Sequence, residues 1–509
     1  MTNMGSEKPS ITEWFQGRHV LVTGGTGFMG KVLVSKFLKS CPEVEAIYLI
    51  IREKKGIPSK NRISTLVQQE PFRLLRENHP ERLKKLVVVP GDTTCDGLGM
   101  STDDANIIKN NVSVVINMAA NVRFDVPLKS AVTMNTKGTA NVIALAKQLK
   151  NLDSFIHVST AYCHCHETVL YEKHYPVSIS PEAIMKIVDE IPENIVSAMS
   201  PNLLGEQPNT YAFTKALGED LVNKCGLPSG ILRPSIVVGS LKEPDCGWVD
   251  NINGPTGLMI GAGKGVIRSM LGKPHYKADL IPCDLAVNMT IALAWKVGLE
   301  KPEKTLFVNS TLSDENPITW GEAIETGRQC VITNPFSQPL WYPGGNFTTS
   351  KFVHFMIVIL FQLIPAYILD GLLMLTGNKP FLIKVQDRIH YGIKLVDYYM
   401  RKEWVFKNEN QKALLESLSL HDRKIFYMNV KEIKWSEFIS NYILGARKYY
   451  LKDDPSTLPR ARRIFAYLYV IDQVVKIGFM LLAGWLIYSC LLPYKTIIGT
   501  SFHASELVD

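Results

Sequence analysis

A doubly wound parallel α/β sheet carrying a substrate lobe, followed by a mainly helical C-terminal domain and membrane segments, is the fold class this sequence predicts. Three observations predict it. Short apolar runs alternate with helical periodicity from about residue 17, a glycine-rich turn joins the first run to the first helix, and two long apolar stretches occur only after residue 350. Strand, helix, strand in repetition favours parallel strands with helices on both faces, because each crossover returns over the sheet.

The candidate strands are His19–Thr23, Ala46–Ile51, Leu86–Val89, Val112–Asn117, Phe155–Ser159, Gly230–Pro234 and Thr305–Asn309. Residues 1–16 are expected to form a polar tail, 17–290 the α/β domain, and 291–350 its last strand and a connector. The stretch 240–350 is richer in Gly and Pro, and its first part is expected to fold as the substrate lobe. Residues 351–450 are expected to be helical, 451–473 a basic linker, 474–492 a membrane-spanning helix and 493–509 a tail.

Composition narrows the functional classes. With 46% apolar and 20% charged residues the chain is globular, and its 509 residues exceed one ordinary domain. The net charge of +8 is scattered along the chain without a recognition motif, which argues against nucleic acid and suits anionic small molecules or a membrane surface. Nine cysteines without a C-x-x-C pair suggest reduced thiols, hence a cytosol-facing domain. No apolar core opens residues 1–18, so no signal peptide is expected.

The run Val353–Leu375 is broken by Gln362, Pro365 and Asp370. It is long enough for a hydrocarbon layer of about 30 Å at about 1.5 Å per residue. A spanning helix, a hairpin kinked at Pro365 and an interfacial helix all remain open for it. Val474–Leu492 follows the basic cluster Arg460, Arg462 and Arg463 and carries Trp485 and Tyr488 towards its far end. That pattern fits a membrane anchor.

The first strand runs into Thr23-Gly24-Gly25-Thr26-Gly27-Phe28-Met29-Gly30. Glycine at 24, 27 and 30 permits a tight turn, backbone approach to a pyrophosphate, and close packing of helix on strand. The helix end that follows offers free N–H groups and a positive field. The eight residues Thr23 to Gly30 are therefore assigned to a dinucleotide. Strand two ends in Ile51-Arg52-Glu53-Lys54-Lys55 where an NAD site would place an acid. Arg52 can fork onto a 2′-phosphate, which selects NADPH. Asp92, Ala119, Ala120 and Asn135 complete the predicted cofactor residues on the adenine and floor sides, with a turn cap as the alternative role for Asp92.

Strand five ends His157-Val158-Ser159-Thr160, and Tyr211 and Lys215 follow four apart in Asn209–Ala216, on one helix face. Reduction of a carbonyl builds negative charge on oxygen, which a phenol can protonate. A free phenol titrates near 10, so a neighbouring cation is needed. Lys215 supplies it, and Thr160 or Ser159 orients the oxygen. Strand six then brings Pro234 and Ile236 to the nicotinamide side.

Together these motifs resemble the extended short-chain dehydrogenase/reductase superfamily, an extended Rossmann fold. The segments Val20–Lys31, Lys31–Arg52, His157–Tyr162, Asn209–Gly218, Arg233–Val238 and Gly247–Gly265 narrow this further, as do Trp404, Ile433–Phe438 and Asn441–Tyr449. They resemble the alcohol-forming fatty acyl-CoA reductases of animals, insect-like ones in particular. The resemblance implies reduction of a long-chain acyl-CoA to a primary alcohol through an aldehyde, with two NADPH consumed and CoA released. It implies that Tyr211 and Lys215 are catalytic, that Thr160 is the third position with Ser159 as the alternative, and that the lobe near 240–280 receives the acyl chain. Membrane lipid is then a partner, with the endoplasmic reticulum favoured over the peroxisome.

Competing readings are weighed against the same residues. A membrane-anchored hydroxysteroid dehydrogenase shares the Tyr/Lys pair but lacks this C-terminal region and prefers NAD, against Arg52. A non-catalytic scaffold would not need Tyr211 and Lys215. Cys163-His164-Cys165-His166 offers alternating ligands on one short loop and no second cluster, so no metal is assigned. Tyr391–Trp404 reads as packing surface, Asp279 and Cys283–Asp284 as the turn before a helix. Lys264, Arg268, Lys273 and Lys277 are undistinguished candidates for the CoA phosphates.

Overall fold

The computed structural model describes residues 8–54 and 56–504. Lys55, residues 1–7 of the expected N-terminal tail and 505–509 of the expected C-terminal tail lie outside them. Seven parallel strands form the central sheet: β1 (His19–Thr23), β2 (Ala46–Ile51), β3 (Leu86–Pro90), β4 (Val112–Asn117), β5 (Ser154–Val158), β6 (Ser229–Pro234) and β7 (Leu306–Ser310). Their order is β7-β6-β5-β4-β1-β2-β3, so the chain reverses direction across the sheet between β1 and β4. In open α/β sheets that reversal leaves a crevice at the strands' carboxyl ends, where ligands bind.

Every residue of β2, β4 and β6 is buried, and alternate residues feed two separate cores. Val20, Val22, Leu49 and Ile116 face one core, Leu21, Tyr48, Ile50 and Val115 the other. This period of two, with apolar residues on both faces, is why the strands read as continuous apolar runs.

The N-terminal segment departs from the expected polar tail. Helix α1 (Ile11–Trp14) starts with a Ser10–Glu13 capping box, and Ile11 and Phe15 are fully buried. The Ile11 N–H donates to Asp422 Oδ1 at 3.2 Å, and Trp295 Nε1 donates to the Pro9 carbonyl. Polar neighbours hide a short apolar i, i+3, i+4 stripe from any composition-based reading. The main helices that follow are α2 (Phe28–Ser40), α3 (Ser59–Val67), α4 (Thr210–Asn223) and α5 (Cys283–Glu300). Cys283 and Asp284 open α5, and Asp284 accepts the N–H groups of Leu241, Lys242 and Glu243, while Asp279 accepts those of Leu312 and Ser313.

The lobe and the C-terminal region pack on each other. Gly247 has φ +73°, and a Cβ there would overlap the Asn441 carbonyl and lie 3.0 Å from the Tyr442 nitrogen. Val169–Leu170 pairs in parallel with Val405–Phe406, which ties the C-terminal region to the loop after β5. The first apolar stretch forms α6 (Lys351–Val358), a wide turn at Ile359–Leu363 and α7 (Ile364–Leu375). Asp370 accepts the N–H groups of Phe381, Leu382 and Ile383 and so caps α8 (Leu382–Met400). The expected linker 451–473 is largely helical, because one continuous helix, α9, runs over Leu458–Ala504 and extends into the expected tail. Lys351–Leu375 and Pro455–Ser489 are long and apolar enough to cross a membrane.

Candidate active site

The crevice begins at the turn from β1 into α2. Gly24 has φ +76°, and a Cβ on it would lie 2.8 Å from the Ala119 nitrogen. Gly30 packs so closely on the turn that a Cβ would overlap the Gly24 carbonyl and lie 2.7 Å from Gly25 Cα. The Gly27 N–H donates to the Gly24 carbonyl at 2.9 Å, and Gly27 stands as the exposed cap of α2 without a capping side chain. Bare N–H groups at a helix start beside Cβ-free backbone fit a pyrophosphate.

Several predicted cofactor residues have their side chains engaged within the protein. Thr23 Oγ1 accepts from the Met118 and Ala119 nitrogens at 3.2 and 3.1 Å and donates to Asn117 Oδ1 at 2.7 Å, so its hydroxyl fixes the turn to β4. Phe28 stacks on Trp248 at 5.2 Å, and Met29 packs on the main core, leaving only their backbone at the helix end. Asn135 is buried, with its carboxamide bound to both backbone groups of Asn121 and to Thr214 Oγ1. It braces the loop after β4. Any contact of Phe28 and Met29 with a cofactor would therefore be through their backbone. Thr26, Ala119 and Ala120 remain partly exposed at the crevice.

Two guanidinium groups flank this turn. Arg52 is half exposed, with Nη1 3.5 Å from Asp92 Oδ2. Asp92 Oδ1 accepts from the Thr94 N–H and hydroxyl at 3.0 and 2.9 Å, the turn-cap alternative. Arg62, in α3, donates to the Arg52 carbonyl at 2.6 Å and to Thr26 Oγ1 at 3.3 Å. Burial, and then the charge of Arg52, depress its pKa, and no carboxylate among the described residues pairs with it. Sequence reading missed Arg62; the available signal was a second arginine in the first turn of the helix after β2.

At the other end of the crevice Asn209 caps α4, accepting the Ala212 N–H at 2.9 Å. Tyr211 and Lys215 lie one turn apart on that helix. Lys215 Nζ donates to the Val158 carbonyl at 2.6 Å and stands 3.3 Å from His157 Nε2. Burial pulls the Lys215 pKa down to about 8, against the opposing pull of Glu219 and then Cys163. Burial pushes the Tyr211 phenol up, Cys163 adds to this, and the Thr160 hydroxyl opposes it. The buried Ser159 hydroxyl finds no hydrogen-bond partner among the described residues. The Pro234 carbonyl accepts the Ala161 N–H at 2.8 Å and the Ile236 N–H donates to Asp279, which seats β6 against the loop after β5.

Beneath the pair, Arg233 forks onto Glu219: Nε to Oε1 at 2.9 Å and Nη2 to Oε2 at 2.6 Å, both side chains essentially solvent-free. Cys163, His164 and Glu219 bring potential ligand atoms within 4.8 Å of one another. Arg233 already occupies both carboxylate oxygens, so a cation would have to displace it. Cys165 and His166 are elsewhere: the Cys165 carbonyl accepts from Trp404 Nε1 at 3.0 Å and Tyr398 Oη at 3.1 Å.

The stretch Tyr391–Trp404 does pack, and it packs at the site. Tyr399 accepts from Asn209 Nδ2 at 2.9 Å. With Phe124 and Tyr162 it builds an aromatic wall whose ring centroids lie 5.3–5.8 Å apart and which includes Tyr211. Among the four basic candidates for CoA, Arg268 drops out, because it is buried and bound to Asp472 and the Tyr342 carbonyl.

Solved structures share this fold. The terminal R domain of the myxalamid PKS-NRPS biosynthetic pathway superposes with TM-score 0.56 at 16% identity, covering 87% of this chain and 93% of that one. Fold and sequence features together define an extended short-chain reductase with a nicotinamide dinucleotide cofactor. Residues 22–290 match the NAD-binding family model described as male sterility protein, and 361–453 match a second model of the same description. Fatty acyl-CoA reductase 1 of Xenopus laevis is 38% identical over 456 residues, covering 89% of this chain and 88% of its own. Fatty acyl-CoA reductase wat of Drosophila melanogaster is 34% identical over 493 residues, covering 96% and 95%. The chain belongs to the fatty acyl-CoA reductase family.

Proposed function

We propose that this protein reduces a long-chain fatty acyl-CoA to a primary alcohol, with Tyr211, Lys215 and Thr160 as the catalytic groups and NADPH as the cofactor. The observation that carries the reading is the placement of Tyr211 and Lys215 one turn apart on α4, with Lys215 Nζ held by the Val158 carbonyl, two residues before Thr160. Acyl-CoA, two NADPH and two protons give alcohol, CoA and two NADP+. The cofactor supplies the hydride in each reduction. Thr160 and Tyr211 hold the carbonyl oxygen, and Tyr211 protonates it as charge builds. Lys215, facing the same crevice, stabilises the phenolate that remains. Incubating the full chain in microsomes with NADPH and acyl-CoAs of graded length tests the reading. Fatty alcohol and free CoA in a one-to-one ratio are expected; no alcohol at any length overturns it.

The preference for NADPH is supported by Arg52 and Arg62, two cations at the turn; Arg62 has no carboxylate partner among the described residues, and the acid beside Arg52, Asp92, is engaged by Thr94. Arg52→Ala and Arg62→Ala are each expected to raise KM for NADPH about tenfold or more while moving KM for NADH little, the loss of one charge-assisted contact of roughly 1.5–3 kcal/mol. Equal effects on both cofactors would remove the assignment.

We further propose that the protein sits on a membrane, of the endoplasmic reticulum, with its catalytic domain in the cytosol. Exposed apolar side chains on Lys351–Leu375 and on α9 support this, among them Phe352, Leu375, Leu481 and Trp485. Lys351–Leu375 reads as lying along one leaflet. Residues on both sides of it touch the catalytic body: Asn346–Thr348 pairs with Ser269–Leu271, and Gln386 donates to the Val266 carbonyl. A single crossing would set those two ends on opposite faces.

A further inference from the structure

The Lys215 amine rests on a ring whose proton position is dictated by its neighbours. Thr23 Oγ1 already accepts two backbone N–H groups, so its own proton goes to Asn117 Oδ1. That orients the carboxamide, and Asn117 Nδ2 faces Thr139 Oγ1 at 3.3 Å and His157 Nδ1 at 3.1 Å. Thr139 cannot reverse the arrangement, because its hydroxyl donates to the Asn135 carbonyl at 2.7 Å. His157 Nδ1 is therefore an acceptor, and a neutral imidazole with a bare Nδ1 carries its proton on Nε2. Burial, followed by the charge of Lys215, keeps this imidazole neutral. Nε2 lies 3.3 Å from Lys215 Nζ. Gly218, on the same helix as Lys215, leaves the ring its place: a Cβ there would lie 3.4 Å from Nε2.

We propose that His157 is a positioning residue of the Tyr211–Lys215 pair, presenting its Nε2–H to Lys215 Nζ and so setting the pH at which Lys215 loses its proton. The proposal rests on the reading of Tyr211 and Lys215 as the catalytic pair. An N–H offers an ammonium nothing to donate to, while it can donate to a neutral amine, so the contact favours release of the proton. The ammonium keeps one fixed acceptor, the Val158 carbonyl. The other charged or titratable groups acting on Lys215 are Glu219 on its own helix and Cys163 after β5, with Tyr211 one turn back on that helix. Arg233 from β6 and His164 both meet Glu219. Buried hydrogen bonds thus run from the Ala119 N–H, at the glycine turn, through Thr23, Asn117 and His157 to the catalytic lysine.

The test is the pH profile of kcat/KM for NADPH-dependent reduction of a long-chain aldehyde by the full chain, which avoids alkaline hydrolysis of a thioester. His157→Gln offers the ammonium a carbonyl oxygen in place of an N–H. Its alkaline limb is expected about one pH unit above that of the unsubstituted protein. Asn117→Ser frees Nδ1 to carry the proton and turns Nε2 into an acceptor, so the limb is expected to move the same way with His157 intact. A merely structural role would lower activity at every pH and leave the limb in place. An unmoved limb in either folded variant overturns the proposal, as does a flat profile in the unsubstituted protein. If Lys215→Ala retains full activity with its limb unchanged, the reading of the catalytic pair fails instead.

Discussion

Tyr211→Phe is expected to lower kcat for alcohol formation by about 10²–10⁴-fold, the ordinary contribution of a positioned proton donor. The phenyl ring keeps the contacts with Phe124 and the aromatic wall, so folding and nicotinamide binding should be preserved. What disappears is the phenolic hydroxyl, the proton donor itself. The loss should fall on both reductions, since each leaves charge on an oxygen at the same place. Steady-state rates with acyl-CoA and with aldehyde, alongside cofactor titration, check this. A variant that retains a tenth of the rate with either substrate would move the proton donor elsewhere.

Glu219→Leu is expected to destabilise the fold by about 3–5 kcal/mol, because it leaves the Arg233 guanidinium buried without its anion. Arg233 would keep only its bonds to the Tyr171 and Lys173 carbonyls. The double change Glu219→Leu with Arg233→Met removes both charges and should recover most of the loss, since a well-packed apolar pair in place of a buried ion pair is often neutral or better. Thermal unfolding of the detergent-solubilised protein distinguishes these outcomes; a double variant no more stable than the single one would mean that Glu219 matters through Cys163 and His164. Arg233 holds the Glu219 carboxyl well below its usual range, against the opposing effect of burial. Its contribution is therefore present above the ordinary carboxylate pKa and is lost as the pH falls through the depressed one. The protein should stay folded through mildly acidic pH as far as this pair is concerned.

The sheet was legible because its strands are buried on both faces and bounded by turn residues; each predicted strand lies within a residue or so of the observed one. Glycine 24, 27 and 30 and the Tyr211–Lys215 spacing were legible for a related reason, since backbone clearance and helical period leave few substitutes. Arg62 was not, because its role depends on α3 folding back towards Thr26. Tyr399 was hidden for the same kind of reason: it lies 190 residues from its partner Asn209, and an aromatic stripe looks the same whether it covers a core or a catalytic helix. Phe28, Met29 and Asn135 show the converse, residues next to a motif whose side chains point into packing. Sequence spacing reports local geometry well, and reports poorly which distant segment comes to rest on it.

The bond from Ile11 to Asp422 joins residues 411 positions apart, and the aromatic pair Trp14 and Phe15 waits beside it. At a synthesis rate of roughly 5–20 residues per second, its partner emerges some 20–80 s after the first helix leaves the ribosome. Through that interval the Ile11 N–H lacks the carboxylate that accepts it in the finished fold, while Phe15 can already meet Phe37, and Trp14 the helix around Gly298 once that is made. The first helix therefore gains its last polar partner only when the C-terminal region arrives. A premature stop before residue 422 would leave the start of α1 without the Asp422 carboxylate that receives the Ile11 N–H.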